Sequence, residues 1–212
     1  MFGMKAEIAV REKGLDFDLV TVAYDPARGY EPKDSEVLRV NPKRQVPVLF
    51  DGAVEVFDST QIFEYLEELA PSPALWPPGR AAKTEARLLE LKSDEVFFPH
   101  VIRLMGLQDA PGDPAAVAAR QAIAAYYSVT DARLAGQPCL GAAYSYADIA
   151  FYMAQVFAER MGAPMGADPH LRAWRERMGD RPPVAVVMTR LAAYLKDNRR
   201  TVPDFLARFA AR

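Results

Sequence analysis

Apolar residues recur at helical spacing near the start of the chain. Ala6, Ile8, Ala9 and Val10 sit among Lys5, Glu7, Arg11 and Glu12, and Gly14 follows. This predicts a helix closed at Lys13-Gly14, because glycine takes the left-handed conformation that ends a helix without steric cost. Residues 15–22 then alternate apolar and polar over their first half, as a half-buried strand does. A loop with Pro26, Gly29 and Pro32 is expected over residues 25–32, followed by a short helical turn at residues 35–40. Residues 46–50 and 53–57 read as two strands joined at Asp51-Gly52, a strong hairpin signal. Asp58, Ser59 and Thr60 are N-cap candidates for a helix over residues 61–69, with apolar side chains at 62, 63, 65, 66 and 69.

Pro71, Pro73, Pro77 and Pro78 interrupt this pattern. Such a run neither continues a helix nor enters a sheet centre, and it reads as an interdomain linker. Beyond it every periodic stretch is helical: residues 82–104, 114–135, 145–161, 170–178, 183–195 and 203–211. The expected organisation is an α/β domain over residues 1–70, a Pro-rich linker over 71–80 and an all-helical domain over 81–212.

Composition narrows the function classes. Lys and Arg total 26 against 28 Asp and Glu, a net charge of −2 with the signs interspersed. No basic surface for nucleic acid is implied. No apolar run approaches the ~20 residues that span a bilayer, so no membrane partner is expected. Charged residues at 5, 7, 11 and 12 break up any secretory core, and a cytoplasmic location is expected. One cysteine, Cys139, and two histidines leave no expected metal site. Cys139, beside Pro138, is expected to be an inert thiol.

Four segments together resemble the soluble glutathione transferases. They are Glu12-Lys13-Gly14-Leu15, the run Asn41-Pro42-Lys43-Arg44-Gln45-Val46-Pro47-Val48-Leu49, the run from Asp58-Ser59 to Tyr65-Leu66, and Ser145-Tyr146-Ala147-Asp148-Ile149-Ala150. Their order and spacing match the family over nearly the whole chain. The resemblance implies a thioredoxin-like α/β domain, a C-terminal helical bundle and a homodimer. It also implies glutathione as co-substrate and detoxifying conjugation of its thiolate to small hydrophobic electrophiles. In the family a first strand and a Ser, Tyr or Cys that contacts the glutathione sulfur precede the first helix. Counted back from Glu12, that position falls at or before Met1, so no sulfur-activating residue is assigned. A late-assigned start or truncated reading frame is expected, with a divergent fold that tolerates the loss as the alternative.

The resemblance gives roles to particular residues. A cis peptide at Val46-Pro47 would present the Val46 amide and carbonyl to the cysteinyl backbone of glutathione. Gln45 would meet the glycyl carboxylate, with Lys43 or Arg44 adding charge. Asp58 and Ser59, at a helix N-terminus whose amides and dipole favour anions, would take the γ-glutamyl carboxylate. Asp148 is expected at N3 of a capping box, a structural role, and Trp174 and Arg181-Pro182 resemble core and corner residues. Phe97, His100 and Arg103 are the candidates for the electrophile cleft. The first helix N-terminus, with Lys5, would help hold a thiolate. The rival readings are a non-enzymatic glutathione-binding or scaffolding protein and a glutathione-dependent isomerase or reductase on the same fold.

Overall fold

A computed structural model describes residues 1–22 and 33–210. It divides into two compact units, Met1–Pro73 and Ala74–Arg212. The first contains α1 (Phe2–Glu12), α2 (Ser35–Val40), β1 (Val48–Asp51), β2 (Val54–Phe57) and α3 (Ser59–Leu69). The strands form one antiparallel pair, with Val48 opposite Phe57 and Asp51 opposite Val54. Helices α1 and α3 pack together, and Ile8, Ala9, Ile62 and Phe63 between them are fully buried. Gly14 ends α1 at φ +66°, where it donates its amide to Arg11 O at 3.0 Å.

Lys13 does more than end a helix. Its buried ammonium donates to the carbonyls of Ala70 and Pro73, both at 2.8 Å, and pairs with Glu67 at 2.5 Å. It ties the end of α1 to the end of α3 and to the last residue of its unit.

Two expectations change. Residues 15–22 are not a strand: among the described residues the only ladder joins β1 to β2. Alternation produces a strand only where a neighbour completes the hydrogen-bond ladder. Without one, Leu19 and Val20 remain 44% and 78% exposed. The hairpin turns at Gly52-Ala53 rather than Asp51-Gly52, because Asp51 pairs with Val54 and Gly52, at φ +57°, takes the first central position. The loop expected over residues 25–32 lies outside the described residues.

The second unit is helical: α4 (Arg80–Lys92), a π-helical turn Ser93–Phe97, α5 (Phe98–Gly106), α6 (Pro114–Leu134), α7 (Tyr146–Arg160), α8 (Pro169–Asp180), α9 (Pro182–Asp197) and α10 (Asp204–Ala210). The periodicity of residues 82–104 predicts one uninterrupted helix, and the wide turn is where it departs. Pro99 cannot donate an amide to the carbonyl four residues back and crowds it with its ring, so the helix widens just before it. Mostly apolar, α7 is buried on every side from Tyr146 to Val156, with Asp148 and Gln155 as its buried polar residues. Phe97, Tyr126, Tyr127, Phe151 and Trp174 form an aromatic cluster with ring centroids 5.1–5.6 Å apart.

At the head of α7, Ser145 and Asp148 form a capping box. Asp148 also accepts the Leu140 amide and the Trp174 indole N–H, both at 2.9 Å. Burial pushes its carboxyl up, against the pull of these donors. The second half of the Pro-rich stretch is packed: Leu75 and Trp76 are buried, and Leu75 O accepts the Tyr146 amide at 3.2 Å. Among the described residues no helix is long and apolar enough to cross a membrane.

Candidate functional site

The hairpin register brings the two candidate segments together. Val48 opposite Phe57 is the last pair at the open end. Val46-Pro47, just before β1, therefore lies beside Asp58-Ser59, just after β2. A loose ion pair agrees: Lys43 Nζ is 3.8 Å from Asp58 Oδ2. The Val46-Pro47 peptide is cis, as the resemblance implies. From α2, Arg39 grips Glu55 of β2 with two bonds of 2.6 and 3.0 Å, which hold the Glu55 carboxyl below its usual range. At the other end, Tyr65 donates to Asp51 at 2.6 Å and ties the turn to α3.

Asn41 organises the loop that carries Gln45. It is 3% exposed, its Oδ1 accepts the Lys43 amide at 2.9 Å, and its Nδ2 donates to Gln45 O at 2.5 Å. Arg44 between them is held at φ +58°, a left-handed conformation that side-chain-bearing residues visit at a cost. Gln45 and Lys43 are exposed, and Val46 and Pro47 half-buried. The sequence analysis gave Asn41 no role of its own. An Asn-Pro pair two residues before a positive-φ position is an Asx-turn signal that could have found it.

The cap of α3 is Asp58, not Ser59. Asp58 Oδ1 accepts the Thr60 amide at 3.0 Å, and Ser59 is the first helical residue, 3% exposed. Both residue types cap well, so sequence alone leaves the choice open by one position. Asp58 takes the cap at φ +73°, ψ 131°, a conformation costing ~1–3 kcal/mol that recurs at ligand clamps. The Ser59 and Gln61 amides lie in the first turn, where no carbonyl of the helix reaches them. They and the helix dipole favour an anion.

Lys5 lies in the first turns of α1 and is fully buried, with Nζ 5.3 Å from the ring centroids of Phe2 and Phe63. Phe63 is one turn beyond Ser59 on the same face of α3. A buried cation thus packs against the Phe63 ring on the face of α3 that also carries Ser59. A charged residue in an amphipathic helix gives no sign of such burial from sequence.

The second-unit candidates are separately placed. Phe97 is fully buried in the aromatic cluster, His100 is half-buried and Arg103 is exposed. Burial pushes the Cys139 thiol up to about 11, with the Asp148 charge adding and Arg177 and Arg181 opposing. Among the described residues no group of three or more His, Cys, Asp or Glu could hold a metal ion.

Two family models match the chain: glutathione S-transferase, N-terminal domain, over residues 1–69, and glutathione S-transferase, C-terminal domain, over residues 94–182. A stringent starvation protein A homolog of Pasteurella multocida is 30% identical over 95 residues, 45% of this chain and 42% of that protein. The match thus spans less than half of that relative's length. The maleylacetoacetate isomerase of Rattus norvegicus is 26% identical over 168 residues, 78% of this chain and 77% of the isomerase. The theta class glutathione S-transferase of Xanthomonas axonopodis pv. citri, solved with glutathione bound, superposes with a TM-score of 0.74 at 26% identity, over 87% of this chain and 90% of that one. With a thioredoxin-like N-terminal unit, a helical C-terminal unit and both family domains matched in order, the chain belongs to the glutathione S-transferase family.

Proposed function

We propose that this protein binds glutathione and conjugates its thiolate to small hydrophobic electrophiles, acting as a cytoplasmic homodimer in detoxification. The observation that carries the reading is the open end of the hairpin, where Gln45, Val46 and Pro47 meet Asp58, Ser59 and the first turn of α3. An extended ligand backbone fits beside Val46, with the glycyl carboxylate toward Gln45 and the γ-glutamyl carboxylate at Ser59. In the conjugation step the sulfur lone pair forms a new C–S bond, and the leaving group departs or a π-bond shifts within the electrophile. A thiol near pKa 8.5 is mostly protonated at neutral pH, and lowering it by two units takes ~2.7 kcal/mol of preferential stabilisation of the anion. The positive end of α1 and the buried Lys5 ammonium supply field of the right sign. For the electrophile we keep Phe97, His100 and Arg103. Phe97 supports its helix from within, and His100 and Arg103 reach the surface of their own unit.

Calorimetry with glutathione, followed by a conjugation assay with an activated aryl halide, tests this. Micromolar-to-millimolar binding and glutathione-dependent product are expected, and no heat at millimolar glutathione overturns the reading. The likeness to the rat maleylacetoacetate isomerase over 78% of the chain supports a second reading, glutathione-dependent cis–trans isomerisation. Turnover of a maleyl-type substrate without net consumption of glutathione would select it.

A further inference from the structure

We propose that Lys43 is a built-in competitor of the ligand's ammonium: its own ammonium occupies Asp58 in the ligand-free protein and gives way when a free α-amino group arrives. The inference rests on the glutathione-binding reading above. It concerns what that site does to tell one ligand end from another.

The two oxygens of Asp58 have separate tasks. Oδ1 is committed to the Thr60 amide at 3.0 Å and holds the start of α3. Oδ2 faces Lys43 Nζ at 3.8 Å, too long for a direct N–H···O bond. The two side chains are 65% and 39% exposed. An exposed pair of this kind contributes little and exchanges readily. The group that Asp58 holds is a primary ammonium, the same functional group as the α-ammonium of a γ-glutamyl residue. Among the described residues Lys43 is anchored at its base, where its amide donates to the buried Asn41, and its four-carbon stem lets the ammonium leave while the backbone stays.

A ligand that ends in an α-amino acid carries carboxylate and ammonium on one carbon. With the carboxylate at the first turn of α3, the ammonium falls toward Asp58 Oδ2 and displaces Lys43. A ligand whose amine is acylated leaves the Lys43–Asp58 pair in place. Because one ammonium replaces another, the wild-type protein gains little from the ligand's amine, and removing Lys43 should expose the full preference of Asp58.

The test is calorimetry of the full chain with glutathione and with N-acetylglutathione, at low salt, for wild type, Lys43→Gln and Asp58→Asn. Asparagine caps helices as well as aspartate, and melting curves confirm that each variant is folded. The readout is the ratio of the two dissociation constants. Lys43→Gln is expected to raise the preference for the free amine about two- to five-fold, and Asp58→Asn to bring it close to one. An unchanged or smaller preference in Lys43→Gln overturns the proposal, including the case in which both ligands weaken equally and Lys43 is a plain carboxylate contact. If wild type binds neither ligand at millimolar concentration, the glutathione reading itself falls and takes the proposal with it. Glutathione binding with an unmoved ratio refutes only the role of Lys43.

Discussion

Replacing Asn41 by Ala separates the scaffold of the site from the groups that would touch the ligand. The substitution removes two hydrogen bonds, from the Lys43 amide at 2.9 Å and to the Gln45 carbonyl at 2.5 Å. Each has a net worth of about 0.5–1.5 kcal/mol. Lys43 and Gln45 are exposed, so water takes up part of what they lose, and the cost settles at about 1–2 kcal/mol. At ~2–4 °C per kcal/mol for a chain of this size, the melting temperature drops by roughly 2–8 °C. The same clamp holds Arg44 in its left-handed conformation, which costs ~1–2 kcal/mol and is abandoned once the clamp is gone. The population of the binding-ready loop then falls roughly 5- to 30-fold, and apparent glutathione affinity falls with it. Asn41→Asp keeps the acceptor for Lys43 but sets a carboxylate against the Gln45 carbonyl, so it should do no better. Thermal melting and calorimetry on both variants supply the two readouts. Melting within about 1 °C of wild type together with unchanged affinity in Asn41→Ala would refute the view that Asn41 orders the loop.

Other perturbations test other parts of the molecule. Lys13→Met leaves Glu67 and the Ala70 and Pro73 carbonyls without their cation. It should cost about 3 kcal/mol in denaturant unfolding, and a loss under 0.5 would show the clamp to be idle. Asp148→Asn keeps one oxygen for the Leu140 amide and the Trp174 indole but turns an amide N–H toward the Ser145 amide; orphaning that one buried donor should cost about 1–3 kcal/mol, read as a fall in denaturant midpoint. Cys139, held up to about 11, carries roughly two hundred-fold less thiolate at pH 8 than an ordinary cysteine. It should therefore alkylate correspondingly slowly with iodoacetamide in the folded protein and at the normal rate in denaturant. Because the folded thiol keeps its proton to higher pH than the unfolded one, its contribution to stability is intact below about pH 8.5 and is lost as pH rises through about 11.

What the sequence discloses and what it hides divide along a physical line. The ends of α1 and α3 are legible because local chemistry sets them: Gly14 stops one and a cap residue after a strand starts the other. Residues 15–22 mislead because alternation describes a side-chain pattern, whereas a strand is a relation between two chains of backbone. The pattern is satisfied here with no ladder partner among the described residues. Lys5 and Lys13 mislead in the opposite sense. Each is a cation in or at the end of an amphipathic helix, the usual mark of a solvated face, yet both are buried. Lys13 is buried because carbonyls at the far end of α3 turn toward it, which no window around residue 13 contains.

The candidate site follows the same division. Val46-Pro47 and Asp58-Ser59 announce themselves as motifs, and a two-residue hairpin turn dictates that segments flanking its strands meet at the open end. The meeting is thus deducible once the hairpin is accepted. Its tuning is not, because the choice between Asp58 and Ser59 as cap is settled by a strained backbone, and strain is visible only when the rest of the fold imposes it. With Asp58 as cap, one carboxylate oxygen is spent on the helix and the other faces Lys43. Had Ser59 been the cap, neither oxygen of Asp58 would be committed to the helix. A one-residue shift in the start of α3 therefore decides whether the site meets an incoming ammonium with both carboxylate oxygens or with one of them spent on the helix.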